Sequence, residues 1–225
     1  MSWVITPSFT QWTPSLISTA LWLDAADAST ITESGGAISQ WNDKSGNGRN
    51  ATQVTAGNRP TYTSAALNGK NVVSFNGSTQ WFANFSAFSA GHFIAVAKST
   101  TSKSFAGLHT GSASELILSS AGTQVIQAST SYVNSLTNLS VTFNQPFIWG
   151  LNLGATRSAA RTLGQEFNQP GAVRAWDGYC GELIVLASPQ DVVIRNKLEG
   201  YLAHKWGLTA SLPADHPYKV NPPAP

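Results

Sequence analysis

Asp43-Lys-Ser-Gly-Asn-Gly48 is the segment whose oxygen donors fall closest to a metal-binding spacing. Asp43, Ser45 and Asn47 take the first, third and fifth places of a calcium-type loop, and Gly48 takes the sixth. The twelfth place, where a bidentate acid normally closes such a loop, holds Val54. Only one carboxylate is present, and Lys44 and Arg49 flank it with repelling charge. A turn needs no ion at all. Asp43 can cap backbone donors, while Gly46-Asn47-Gly48 permits the positive φ of a tight reversal. The turn is the preferred expectation. A Ca²⁺ site on Asp43 and Asn47, completed by a distant acid such as Asp24, Asp27 or Asp177, is the alternative.

Other chemistries lack their spacing. Glycoside hydrolysis needs two carboxylates about 5–10 Å apart across the scissile bond. Glu115, Glu166 and Glu182 each stand alone in their segments. No Gly-x-Ser-x-Gly elbow occurs, and His92, His109, His204 and His216 are scattered without metal-ligand spacing. Cys180 lies in the apolar-rich run from Tyr179 to Leu186 and reads as a small buried hydrophobe. No catalytic residue is assigned. The 8 tryptophans are the remaining candidates, because an aromatic face accepts the C–H surface of a sugar ring. Trp22, Trp41, Trp149 and Trp206 follow strand or helix patterns and are expected in the core. Trp81 sits beside Phe82 in a Gly/Ser/Asn-rich stretch, and Trp176 precedes Asp177-Gly178. Trp81, Trp176 and Asp177 are therefore the candidate ligand-binding residues.

The elements that must position these groups are mostly strands. Charged residues make up 11% of the 225, well under the usual share of about 25%. Ser, Thr, Asn, Gln and 19 glycines replace them, a composition of turns and pleated strands. Short runs, many of them alternating apolar with polar residues, recur at 20–23, 38–41, 71–75, 92–97, 115–118, 123–126, 139–143, 147–151, 173–176 and 182–186. One helix is expected from Pro189 to about Trp206, with Ser188 as N-cap and Gly207 as terminator. Its Ile194, Leu198, Tyr201 and Leu202 share one face. A net charge of +2 without basic clusters argues against nucleic acid, and no apolar run reaches the roughly 20 residues of a membrane span.

Three stretches carry a family resemblance. They are Leu21-Trp-Leu-Asp-Ala-Ala-Asp-Ala-Ser-Thr30, Trp41-Asn-Asp-Lys-Ser-Gly-Asn-Gly48 running on to Val72-Val-Ser-Phe-Asn-Gly77, and Gly181-Glu-Leu-Ile-Val185 leading into Leu198–Leu208 and Leu212-Pro-Ala-Asp-His-Pro-Tyr218. Together they resemble the laminin-G-like branch of the concanavalin A-like lectin/glucanase superfamily, as found in bacterial surface proteins and bacteriophage tail and virion proteins. Residues 99–170 carry none of it. The resemblance implies an all-β fold: a jelly-roll sandwich of two antiparallel sheets with one C-terminal amphipathic helix. The superfamily's glucanases keep closely spaced acids on one strand, which this chain lacks.

The expected organisation is an N-terminal arm (1–18), a sandwich domain (19–219) and a Pro-rich tail (220–225). Trp3, Phe9 and Trp12, set among prolines, are the expected anchors of the arm on a neighbouring subunit. The resemblance points to modules that work outside cells, yet no secretory leader is visible after Met1. A non-enzymatic virion protein of a bacteriophage, made in the host cytoplasm, reconciles the two. It would decorate the capsid or belong to the tail, with other virion proteins or its own copies as partners and no cofactor. The alternative is a carbohydrate-binding module for cell-surface glycans; a glycan hydrolase is the third reading.

Overall fold

The computed structural model describes residues 11–101, 106–111, 116–118, 129–137, 140–166 and 174–225. Within them the chain is antiparallel β-sheet with a single α-helix. In chain order the strands are β1 (Leu21–Asp24), β2 (Ile31–Ser34), β3 (Ala37–Trp41), β4 (Ala51–Thr52), β5 (Thr61–Leu67), β6 (Lys70–Asn76) and β7 (Phe82–Ser99). Then come β8 (Ala106–Gly111), β9 (Leu116–Leu118), β10 (Ser129–Val133), β11 (Leu136–Thr137), β12 (Phe147–Leu163) and β13 (Asp177–Leu186), followed by α1 (Val192–Trp206). The main path of pairing runs β11-β10-β12-β7-β13-β6-β5-β3-β2.

β13 organises the fold because its side chains alternate between two cores. Cys180, Leu183 and Val185 enter the larger core with Phe93, Ala95 and Ala97 of β7 and Trp149 and Leu151 of β12. Tyr179, Ile184 and Leu186 enter the second, with Ile94, Val96, Ile148 and the α1 residues Leu198, Tyr201, Leu202 and Trp206. Strict alternation would place residues 180 and 183 on opposite faces. A register shift between Cys180 and Glu182 removes the conflict by inserting Gly181 as a bulge. Glu182 consequently falls on the helix side of the sheet. Gly181 is required there, since a Cβ would stand 2.9 Å from the Trp206 ring.

Most expected strands are present, though β7 and β12 extend well past the runs that announced them. Three expectations need correction or fall outside the description. Val141 to Phe143 form no strand: Gln145 N–H closes a turn on the Thr142 carbonyl, and Asn144 has φ +65°. Arg174 to Trp176 make only isolated bridges, through Ala175 to Gly107 and Gln165. The runs 123–126, Leu139 and Val173 lie outside the described residues.

The helix begins later than its sequence suggests. Asp191 is the N-cap, its carboxylate accepting from Ile194 N–H at 2.9 Å, and Gly207 ends the helix in the left-handed region at φ +68°. Ser188-Pro189-Gln190 is held back by the sheet. Asn152 accepts from Gln190 N–H at 2.8 Å and donates to its carbonyl at 2.9 Å. Pro189 also lies so close to β7 that a Cβ on Gly91 would meet it at 2.2 Å. The helix is not simply amphipathic either. Val192 and Val193 are exposed while Glu199 is fully buried, because residues 209–225 cover its far side and Tyr218 packs on Gly200.

Candidate functional site

The three stretches singled out in the sequence meet at one place, between β1, β13, the β3–β4 loop and α1. Glu182 stands at its centre, completely buried. Its Oε1 accepts from Trp22 Nε1–H at 2.7 Å and Tyr201 O–H at 3.0 Å. Its Oε2 accepts from Lys205 Nζ at 2.6 Å and Trp206 Nε1–H at 2.8 Å. Lys205 also pairs with Asp24 at 2.7 Å, and Lys44 bridges Asp24 at 3.0 Å and Asp27 at 2.7 Å. Burial pushes the Glu182 carboxyl above its ordinary value, with the Lys205 ammonium pulling the other way. Burial works against a charged Lys44, but Asp27 and Asp24 outweigh it and hold the amine above its usual range.

Two carboxylates sharing one ammonium is an arrangement that could transfer protons. Here it is a clasp. Every oxygen of Glu182 is filled by donors, two indoles cover it, and no substrate atom could reach it without opening the helix from the sheet. Trp22, Trp206 and Tyr201 were legible as core residues, but Glu182 as their common partner was not.

The β3–β4 loop follows the turn reading. Asp43 Oδ1 accepts from Trp22 N–H at 3.0 Å and Ser45 N–H at 2.9 Å, and Oδ2 from Ser45 Oγ at 2.7 Å and Arg49 N–H at 3.0 Å. Asn47 presents its Nδ2 donors to the Thr19 and Ala20 carbonyls at 2.9 and 3.3 Å. Gly46 and Gly48 have φ of +85° and +69°. Among the described residues no three His, Cys, Asp or Glu side chains gather as a metal site. The four hydrogen bonds to its carboxylate predict that Asp43→Ala lowers stability by about 2 kcal/mol through its stranded donors, and the turn reading expects no rescue by Ca²⁺. A melting temperature that rises on adding Ca²⁺ to the unmodified chain, and not to Asp43→Ala, would reverse this assignment.

The other candidates are dispersed. Trp176 is not a surface residue: it is fully buried and stacks on Trp149, with centroids 5.9 Å apart and planes at 21°. The glycine-rich context that suggested exposure belongs to Gly178, which must pass the Lys98 carbonyl at a distance forbidding any Cβ. Asp177 opens β13 and accepts from Thr101 Oγ1 at 2.9 Å. Trp81 is partly exposed, and its backbone bonds to Asn58 and Gln53. Trp12 is not available to a neighbour. It is 3% exposed, meets Tyr201 edge-on at 6.1 Å, and its N–H bonds to the Pro223 carbonyl at 3.1 Å. Trp3 and Phe9 lie outside the described residues.

A site that the sequence did not announce lies where the β10–β11 hairpin meets α1 and the 213–217 loop. A cavity of about 250 Å³ opens there, lined by Ser135, Leu136, Arg195, Asn196, Asp215 and His216 with Pro213 and Pro217. Asn134 and Ser135 form the two-residue hairpin turn, with φ of +49° and +71°. Glycine is the residue that takes the second of these positions without strain. Behind the wall, Glu199 is fully buried. Its Oε2 faces His216 Nε2 at 3.2 Å, and His216 Nδ1 accepts from Tyr218 N–H at 3.2 Å, which places the ring proton on Nε2. Arg195 Nε lies 3.7 Å from Glu199 Oε1, and neither atom has a hydrogen-bond partner. The guanidinium rests 5.0 Å from the Tyr132 ring centroid.

No family model, curated protein or solved structure matches the chain.

Proposed function

We propose that this chain is a non-catalytic module, a concanavalin A-like jelly roll serving as a structural component of a bacteriophage virion, in the capsid shell or the tail. The observation that carries the reading is the fate of the polar residues in the three stretches. Asp24, Lys44, Glu182 and Lys205 are spent on one another, tying β1, the β3–β4 loop, β13 and α1 together. Residues spent on the scaffold leave function to the surface, and a weakly charged, hydroxyl- and amide-rich composition suits packing against neighbouring subunits.

The attachment expected of the arm is now narrower. Because Trp12 belongs to the core, the anchoring role expected of the arm passes to Trp3 and Phe9. A chain lacking residues 2–10 should melt as the full chain does and fail to co-sediment with particles of the source phage. Normal co-sedimentation of the shortened chain removes the arm as anchor; absence of the full chain from purified particles removes the virion reading itself. The second reading, a module for cell-surface glycans, keeps Trp81 as a partly exposed aromatic and loses Trp176. Specific binding on a glycan array would favour it.

A further inference from the structure

We infer that Lys205 and Asp24 join in an amide bond, formed by the folded chain itself with loss of water and with Glu182 as the proton relay. The inference does not rest on the assembly reading, and its test involves no particles. Topology brings the three groups together. Asp24 ends β1 and stands directly opposite Glu182 of β13 in the antiparallel register, while Lys205 reaches both from the last turn of α1. Its Nζ lies 2.7 Å from Asp24 Oδ1 and 2.6 Å from Glu182 Oε2. In water an amine and a carboxyl persist as separate ions, because both charged forms are well solvated. Here the Glu182 and Asp24 side chains are 0% and 5% exposed and that of Lys205 is 18% exposed, so the ion pair gives up most of its solvation. A neutral amide in the same place has no charge to bury. The reactants are also held in contact beforehand, which removes the entropic cost that slows the bimolecular reaction.

The atoms balance without a co-reactant. One Nζ proton passes along the 2.7 Å contact to Asp24 Oδ1, leaving a neutral amine beside a neutral carboxylic acid. The nitrogen lone pair forms the C–N bond at Cγ, and the carbonyl pair moves onto Oδ2, where the Lys44 ammonium at 3.0 Å stabilises the negative charge. Glu182 Oε2 takes the second proton from the nitrogen and returns it to Oδ1. Oδ1 then leaves as water with both protons, the pair on Oδ2 restores the carbonyl, and the third proton stays on the amide nitrogen. Hydrogen bonds from Trp22, Trp206 and Tyr201 hold the Glu182 carboxylate in place beside Nζ. Burial, which pushes that carboxyl above its ordinary value, suits a group that must carry a proton in mid-reaction. The ion-paired cluster is the state in which the chain folds. The bond then closes residues 24–205 into a ring and fixes α1 to β1.

The test is the intact mass of the purified full chain, followed by a tryptic digest. The mass is expected to fall short of the sequence mass by one water. In the digest, the peptide carrying Asp24 should be joined to the one carrying Lys205, with no cleavage after Lys205. Lys205→Arg, whose guanidinium keeps its proton and is no nucleophile, and Asp24→Ala should both appear at full mass. Glu182→Gln keeps the volume but cannot take up the proton, and should be folded by circular dichroism and at full mass. A full sequence mass for the unmodified chain, after prolonged incubation in the folded state, overturns the inference. So does a missing water that survives in Lys205→Arg, or that the digest places in a succinimide at Asp177-Gly178. A bond formed as completely in Glu182→Gln overturns it too, because the relay is part of it.

Discussion

Replacing Glu182 with alanine should lower the unfolding free energy by about 3–5 kcal/mol, the range for removing one partner from a buried charged cluster. Four donors lose their acceptor together: the indoles of Trp22 and Trp206, the Tyr201 hydroxyl and the Lys205 ammonium. Lys205 keeps Asp24 at 2.7 Å and the Tyr201 oxygen at 3.1 Å, so its charge is not abandoned. The indoles have no such reserve. Glu182→Gln retains the volume and one oxygen, but turns an NH₂ group toward a donor, and should fall between the two. Denaturant unfolding followed by tryptophan fluorescence reads the difference directly, since two of the affected groups are fluorophores. A loss below about 0.5 kcal/mol for alanine, the level of an ordinary surface change, would mean that apolar packing alone holds α1 to the sheet.

This clasp also marks where the sequence stopped being legible. Strand periodicity and the Gly207 stop are local signals, and both were readable because local backbone preference decides them. The start of α1 was misplaced because a non-local bond from Asn152, on another strand, competes with the apparent Ser188 cap. Glu182 looked like an isolated acid among apolar residues, and its partners stand up to 160 positions away. Only the bulge at Gly181 puts it under the helix, and a one-residue change of register leaves almost no trace in an apolar run. Trp176 and Trp12 were read from the composition of their neighbours, whereas their burial depends on what folds over them. The cavity at Arg195 and Asp215 joins a hairpin tip, a helix and a C-terminal loop, so no single stretch of sequence carried it.

Two histidines buried in the fold predict that the protein loses stability as the pH falls through 6.5 to about 4. His92 is fully buried, and burial pushes its pKa down from 6.5 to about 4. Its neutral form is locked in place: Nδ1 faces Asn152 Oδ1 at 3.1 Å, and Nε2 faces the Tyr132 hydroxyl at 2.9 Å. His109 lies between the rings of Phe85 and Phe93, at 5.8 and 5.7 Å, and burial, aided by the Arg161 charge, holds it well below 6.5. For a base with a lowered folded value, the unfolded chain takes the proton first. Below 6.5 the unfolded state therefore gains, by about 1.4 kcal/mol per pH unit for each histidine, and His92 alone accounts for a loss of up to about 3 kcal/mol by pH 4. Glu182 acts in the opposite sense, because an acid with a raised folded value favours the native state as the pH drops. Asp27, whose value Lys44 lowers, matters only below its ordinary 3.8. A His109→Leu chain separates the contributions, since it keeps an apolar group between the two phenyl rings and removes one titrating site. Its unfolding free energy should fall with acid less steeply than the parent's, by close to one proton's worth of slope. Equal slopes in the two chains would show that His109 takes up its proton as readily in the fold as in the unfolded chain, and a parent curve that stays flat or rises with acid would show that the buried histidines do not govern the acid response.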